Sequence, residues 1–256
     1  MGKLFRIEMK KLWRSTAMRV MVIVSIVLSL ISVASYAFID SMADEFSGGM
    51  FGIDGYSALN TLLSDNSDSM LFAVLLIAIL IGGDFSARTL QTQISAGFSR
   101  MQVIISRFLS TIVAYLVFHV TYMIFFAGGV TIVLGFGKEV TGALVGEILL
   151  QMLMSLFMSF AMLAIYMFFC FLLKSTGASI GVCLPFMLVG TSIIQMLSFA
   201  FETCEKIIAL TPFGQIMLVT SELDGLGYVK FFAVGIVWMV GMLAVTFATF
   251  RKAELK

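Results

Sequence analysis

The side chains able to bind a metal, relay protons or attack an electrophile are few in this sequence, and their spacing leaves little room for bond chemistry. His119 is the only histidine among 256 residues. It falls inside a long apolar stretch, where an ionisable group is a candidate proton relay or metal ligand. No Asp, Glu or Cys lies near it in sequence, so either role needs distant partners, and a hydrogen bond to a neighbouring helix is the simpler reading. Cys170 and Cys183 also fall in apolar stretches while Cys204 stands apart, which is not the pattern of a disulfide framework. The phosphate-cradling pattern G-x-x-x-x-G-K-[ST] is absent, so the chain does not bind and hydrolyse ATP in the P-loop manner. The expectation is a chain with no catalytic residue, no metal ligands and no cofactor of its own.

Three arginines say more. Residues 82 to 109, GGDFSARTLQTQISAGFSRMQVIISRFL, place Arg88, Arg100 and Arg107 between two long apolar segments. Ser99 followed by Gln102 is a capping-box pattern that starts a helix. Gly97 suits the left-handed end of a preceding helix, and Asp84 or Ser86 suits its beginning, which leaves a short helix of about ten residues. Leu90 and Ile94 lie one turn apart on it, with Phe98 beyond. Two readings follow. Leu90, Ile94 and Phe98 insert into a groove on a soluble partner while Arg88 and Arg100 steer the encounter, or the helix lies on lipid.

The elements that carry these residues are set by hydropathy. A mean hydropathy of +1.06, with 60% hydrophobic and 12% charged residues, far exceeds what a water-soluble surface tolerates. A bilayer core about 30 Å thick needs roughly 20 apolar residues per helix. Six segments qualify, near residues 20–39, 70–86, 108–136, 148–173, 177–201 and 229–250. The second has a short apolar core from Met70 to Gly83, so it has to thin the bilayer, borrow flanking residues or pack inside a bundle.

Charge placement then orients the chain. Lys3, Arg6, Lys10, Lys11, Arg14 and Arg19 precede the first span, and Asp40, Asp44, Glu45, Asp54, Asp65 and Asp68 follow it without a basic residue. With both termini cytoplasmic and six spans, all but three of the 16 basic residues fall inside and all but three of the 15 acidic residues fall outside. A basic lead ahead of an apolar run and SVASYA also resembles a secretory signal, but the lead is long and the run spans a bilayer, so a retained anchor fits better. Within that lead, Leu4, Phe5, Met9, Leu12 and Trp13 share one helical face and the cations the other, while Ile7 and Glu8 break the pattern. A basic amphipathic helix of this kind lies in the membrane interface, and plain positive-inside anchoring is the alternative.

Polar side chains inside the spans form two stripes. Ser25, Ser29, Ser32 and Tyr36 keep within roughly 60° of one face of the first span, and Thr191, Gln195, Ser198 and Glu202 repeat that spacing on the fifth. They line a pathway or a dimer interface, or they bond packed helices together. Gly177 and Gly181 form a G-x-x-x-G pair suited to close helix packing, and Pro185 one turn on is a candidate hinge. The 19 methionines and 25 phenylalanines read mainly as packing and lipid-facing material.

Over essentially its full length the chain resembles permease subunits of the type-2 ATP-binding-cassette exporter family. The resemblance rests on the basic amphipathic N-terminus, six spans, the run Asp84, Ser86, Thr89, Leu90, the step Gly97-Phe98-Ser99-Arg100 into the third span, and the segment ALTPFGQIMLV with Pro212 and Phe213. The family usually has Glu where this chain has Asp84. The resemblance implies an all-α integral membrane protein forming one permease domain over 1–256, with an N-terminal interfacial helix. It implies that residues 85–98 are a coupling helix, with Phe85, Arg88, Leu90, Ile94, Phe98 and Arg100 serving a separate ATPase subunit that binds ATP and Mg. It further implies a second permease copy or paralogue, first and fifth spans near the two-subunit interface, and a broken re-entrant element over 202–227 interrupted at Pro212 and Gly214. The implied setting is a bacterial plasma membrane, and the implied activity is export of an amphipathic peptide, drug or lipid-like molecule, with no nucleic-acid partner. The competing expectations are a gradient-driven transporter using His119 and a polytopic scaffold or sensor.

Overall fold

A computed structural model describes residues 2–47, 54–65, 67–190, 192–193, 196–197, 201–220 and 223–252. The described residues contain helices and no strand, as a bilayer demands of a chain whose backbone polar groups must pair within each segment. The helices are α1 (Gly2–Arg14), α2 (Thr16–Ser47), α3 (Gly55–Ser64), α4 (Ser67–Ser86), α5 (Thr89–Ser95), α6 (Arg100–Leu134), α7 (Gly142–Leu173), α8 (Thr176–Pro185), α9 (Glu202–Ile208), α10 (Pro212–Gln215) and α11 (Gly225–Lys252). Five of them, α2, α4, α6, α7 and α11, are long and apolar enough to cross a membrane. The chain is therefore an all-helical membrane-spanning protein. The apolar stretch Thr176–Gly190, where a further span is expected, is a shorter helix. It changes from α-helical to π-helical pairing after Pro185, over Phe186–Gly190, the kind of local break a proline introduces.

Burial sorts the spans into layers. In α4 and α7, 61% of the apolar window is buried inside the protein, against 17% in α2 and α11, so α4 and α7 form the centre and α2 and α11 the flanks. α4 meets α6, α7 and α8, while α2 runs along α6 and α11 along α7. The short span expected at 70–86 is thus accommodated by burial in the bundle: Phe72, Val74, Leu76 and Ile77 are shielded by protein. Gly82 lets α8 approach this central helix, since a Cβ there would overlap the backbone of Thr176. The G-x-x-x-G expectation is corrected on this point, because a Cβ on Gly177 or Gly181 would meet open space.

α3 was not foreseen, because its segment reads as an acidic loop. Asp54 caps it by accepting from the Ser57 amide at 2.7 Å, and the Asp54 amide donates to Ser57 Oγ at 3.0 Å. The amides of Gly55 and Tyr56 donate to the carbonyls of Gly135 and Phe136, which follow the end of α6. Lys138 Nζ sits 3.8 Å from the centre of the Tyr56 ring. The signal was present as Asp54 ahead of Ser57, with Ala58, Leu59, Leu62 and Leu63 at helical spacing.

Over 202–220, where a broken element interrupted at Pro212 and Gly214 is expected, the described chain forms short helices, with Gly214 inside α10 and not at a break. Pro212 stands at the first position of α10, whose cap is Thr211, and a 3-10 turn follows over Ile216–Leu218. Trp238 of α11 holds this region by donating to the Leu210 carbonyl at 2.7 Å.

Candidate functional site

The site grows from one residue that breaks the pattern of α1. Leu4, Glu8 and Leu12 are spaced by four and share a face, and all three are buried, Glu8 with only 2% exposure. An unpaired carboxylate there would be untenable. Glu8 pairs with Arg107 of α6, whose second terminal nitrogen pairs with Asp84 at the end of α4, and Asp84 in turn pairs with Lys11 of α1. Gln93 of α5 completes the chain by donating to Glu8 Oε1 at 2.7 Å. Two carboxylates thus face one guanidinium and one ammonium, so the cluster is neutral and joins α1, α4, α5 and α6. The void beside it is about 10 Å³, at the limit of what one water needs, so Glu8, Arg107 and Asp84 are shut off from bulk solvent, while Lys11 at the rim is 39% exposed. In such surroundings ion pairs are strong when complete and costly when broken.

Residues 85–98 rest on this cluster. Ser99 and Gln102 form the expected capping box at the start of α6, and Gly97 takes the left-handed conformation at φ 91°. Three expectations need correction. Neither Asp84 nor Ser86 caps α5: Asp84 is consumed by the ion pairs, Ser86 Oγ bonds the Gly82 carbonyl, and the cap position is Arg88 with φ 56°. Leu90 does not reach for a partner's groove, because it is 1% exposed and packs with half-buried Ile94 and Phe98 into the bundle. Arg100 does not face outward to steer, because its Nη1 donates to the carbonyls of Phe250 and Arg251 at 2.5 and 2.8 Å, with its guanidinium over the Phe250 ring. Phe85 packs edge-on against Phe171 and Phe250, so α7 and α11 join the same base. What α5 presents outward is Arg88, Thr92, Ser95 and Ala96. The apolar side that the periodicity marked is the inward side.

The first-span stripe is largely buried. Ser25 and Ser29 are fully buried and donate to their own helix at the Val22 and Ile26 carbonyls. The Ser32 hydroxyl lies 3.1 Å from the Tyr122 hydroxyl, and Tyr36 stacks edge-on against Phe126 at 5.1 Å. Ser32 and Tyr36 thus meet α6 of the same chain, as the reading as interhelical glue has it, while Ser25 and Ser29 are satisfied within α2. Thr191, Gln195 and Ser198 lie outside the described residues. Tyr122 also donates to Asp68 at 2.8 Å, which ties α2, α4 and α6 together. Tyr122→Phe is expected to cost about 1.5–3 kcal/mol, the value of a hydrogen bond to a charged acceptor. Thermal unfolding in detergent measures it, and an unchanged midpoint would mean that this link is idle.

His119 is a second buried polar centre. Its Nδ1 lies 3.2 Å from both Ser69 Oγ and Tyr115 Oη, and Tyr115 donates to Ser159 at 2.9 Å. That donation leaves the Tyr115 oxygen to accept from an Nδ1–H tautomer, assigned from the network. His119 thus bonds α6 to α4 directly and to α7 through Tyr115, the simpler of the two readings of its role. No group of three or more His, Cys, Asp or Glu suited to a metal occurs among the described residues.

Sequence reasoning missed Lys11, Gln93 and Arg107 as members of one site, and saw Glu8 only as an irregularity. The available signal was that irregularity together with Asp84, an acidic residue on the side that charge placement reserves for cations. No protein-family model and no curated protein matches the chain.

Proposed function

We propose that this chain is the membrane-spanning permease subunit of an ATP-driven exporter of the type-2 ATP-binding-cassette kind. In this reading α8 continues into a sixth span, both termini are cytoplasmic, and two permease subunits, identical or paralogous, assemble in the plasma membrane. A separate ATPase, carrying ATP and Mg, docks on residues 85–98. The cargo is an amphipathic or hydrophobic molecule such as an antimicrobial peptide, drug or lipid-like compound, and nucleic acid is not a partner.

The observation that carries the proposal is the construction of the coupling segment. A short helix with an exposed face of Arg88, Thr92 and Ser95 stands on the buried Glu8–Arg107–Asp84 ion pairs, and its flanks are tied to α7 and α11 through Phe85 and Arg100. Displacement of such a helix is transmitted to most of the bundle. The ATPase needs only a different affinity for two arrangements of the bundle to drive it between them, and about 5.5 kcal/mol of difference moves a 1:99 population to 99:1.

Purification of the tagged chain from its native membrane in mild detergent, with mass spectrometry of stoichiometric partners, tests the reading. An ATPase subunit is expected with the unmodified chain. Arg88→Glu combined with Thr92→Glu, both on the exposed face, is expected to lose it while the chain stays folded. Recovery of the unmodified chain alone would sink the proposal.

A further inference from the structure

At the end of the molecule away from the ion-pair cluster, a cavity of about 280 Å³ opens between α7, the residues following the 3-10 turn and the first turn of α11. That is far more than the roughly 10–15 Å³ that seats a water, and just under the 300 Å³ at which pockets begin to enclose whole drug-sized ligands. It has room for a head group.

Its walls define the chemistry of that group. Glu147, Gln151, Thr220 and Tyr228 supply the polar lining, and Leu150 and Met154 are among the apolar residues. Among the described residues no Lys or Arg lines it, so Glu147 contributes the only full charge. Gln151, one turn on, is 6% exposed and donates from Nε2 to Glu147 Oε1 at 3.1 Å. This bond fixes the carboxylate at the wall and leaves its other oxygen to accept. The Gln151 Oε1 is buried without a partner, so the amide is held in place by the cavity wall and that one bond.

The geometry points to a binding site for a primary ammonium group carried on an apolar chain. The N–H donors match the Glu147 carboxylate and the Thr220 and Tyr228 hydroxyls, and the alkyl stem matches Leu150 and Met154. Anions are repelled by the only charge. A divalent cation is poorly served, because calcium takes six to eight oxygens and one carboxylate with two hydroxyls falls short of that. The assignment goes beyond the export reading and does not depend on it, since it concerns binding by this chain alone.

Two sources carry this chemistry, a free amphipathic amine and the headgroup of phosphatidylethanolamine. The test is calorimetric titration of n-butylammonium chloride into the full chain in phosphatidylcholine nanodiscs, with n-butanol and butyltrimethylammonium as probes lacking the charge or the N–H donors. Saturable binding of butylammonium alone is expected. Glu147→Gln, an isosteric change at an exposed position, is expected to weaken it about fivefold or more with an unchanged unfolding midpoint, the effect of one partly screened ion pair. Repeating the titration with phosphatidylethanolamine in the disc separates the sources: competition assigns the site to the lipid headgroup, and unchanged affinity assigns it to a free amine. Absence of butylammonium binding, equal binding of the trimethyl analogue, or equal binding by Glu147→Gln overturns the assignment.

Discussion

Arg107→Leu is expected to destabilise the protein by about 3–5 kcal/mol, the cost of removing one partner from a buried ion pair. The reason is local. Glu8 and Asp84 are 2% and 1% exposed, and among the described residues Arg107 is the only cation paired with both, so its loss leaves Glu8 buried without a counter-charge and Asp84 with Lys11 alone. At about 2–4 °C per kcal/mol for a chain of this size, the unfolding midpoint in detergent should fall by about 6–20 °C. Removing the uncompensated buried charge should restore most of it, so Arg107→Leu combined with Glu8→Gln and Asp84→Asn is expected to lie within about 1–2 kcal/mol of the unmodified protein. Lys11→Ala supplies the contrast: its side chain is 39% exposed, and an ion pair open to solvent is worth under about 1 kcal/mol. A small effect of Arg107→Leu, or no recovery in the triple variant, would show that the cluster does not hold α1 to the bundle.

The second large effect is expected at Gly82. A Cβ on this residue would overlap the backbone nitrogen and Cα of Thr176, and backbone cannot yield as a flexible side chain does. Gly82→Ala is therefore expected to cost about 2–3 kcal/mol through overpacking between α4 and α8, despite the better helix propensity of alanine. Gly177→Ala and Gly181→Ala should be neutral or stabilising by up to about 1 kcal/mol, since both positions open onto free space. Unfolding midpoints of the three variants measure the difference. Equal losses at all three would mean that the G-x-x-x-G pair packs closely after all and that the packing of α8 on α4 is different.

Several features were legible in the sequence because they depend on neighbours within one segment. The capping box of Ser99 and Gln102, the left-handed Gly97 and a helix boundary at Pro212 all follow from contacts a few residues apart. The same locality misled where a face had two possible neighbours. Leu90 and Ile94 mark an apolar side of α5, yet periodicity is the same whether that side meets a partner or its own bundle, and the structure turns Leu90 inward. The serines of the first span share a face in either reading, and only the position of α6 decides that Ser32 meets Tyr122.

By itself the sequence determined the class, a helical membrane chain with a basic amphipathic lead and a polar segment at 82–109, because hydropathy and helical spacing are sums over adjacent residues. The tertiary structure alone decided that Glu8 meets Arg107, 99 positions away, and that Lys11 meets Asp84, 73 positions away. A buried charge has to find its counter-charge wherever helix packing places it, and that order of packing is not written in the period of any single helix.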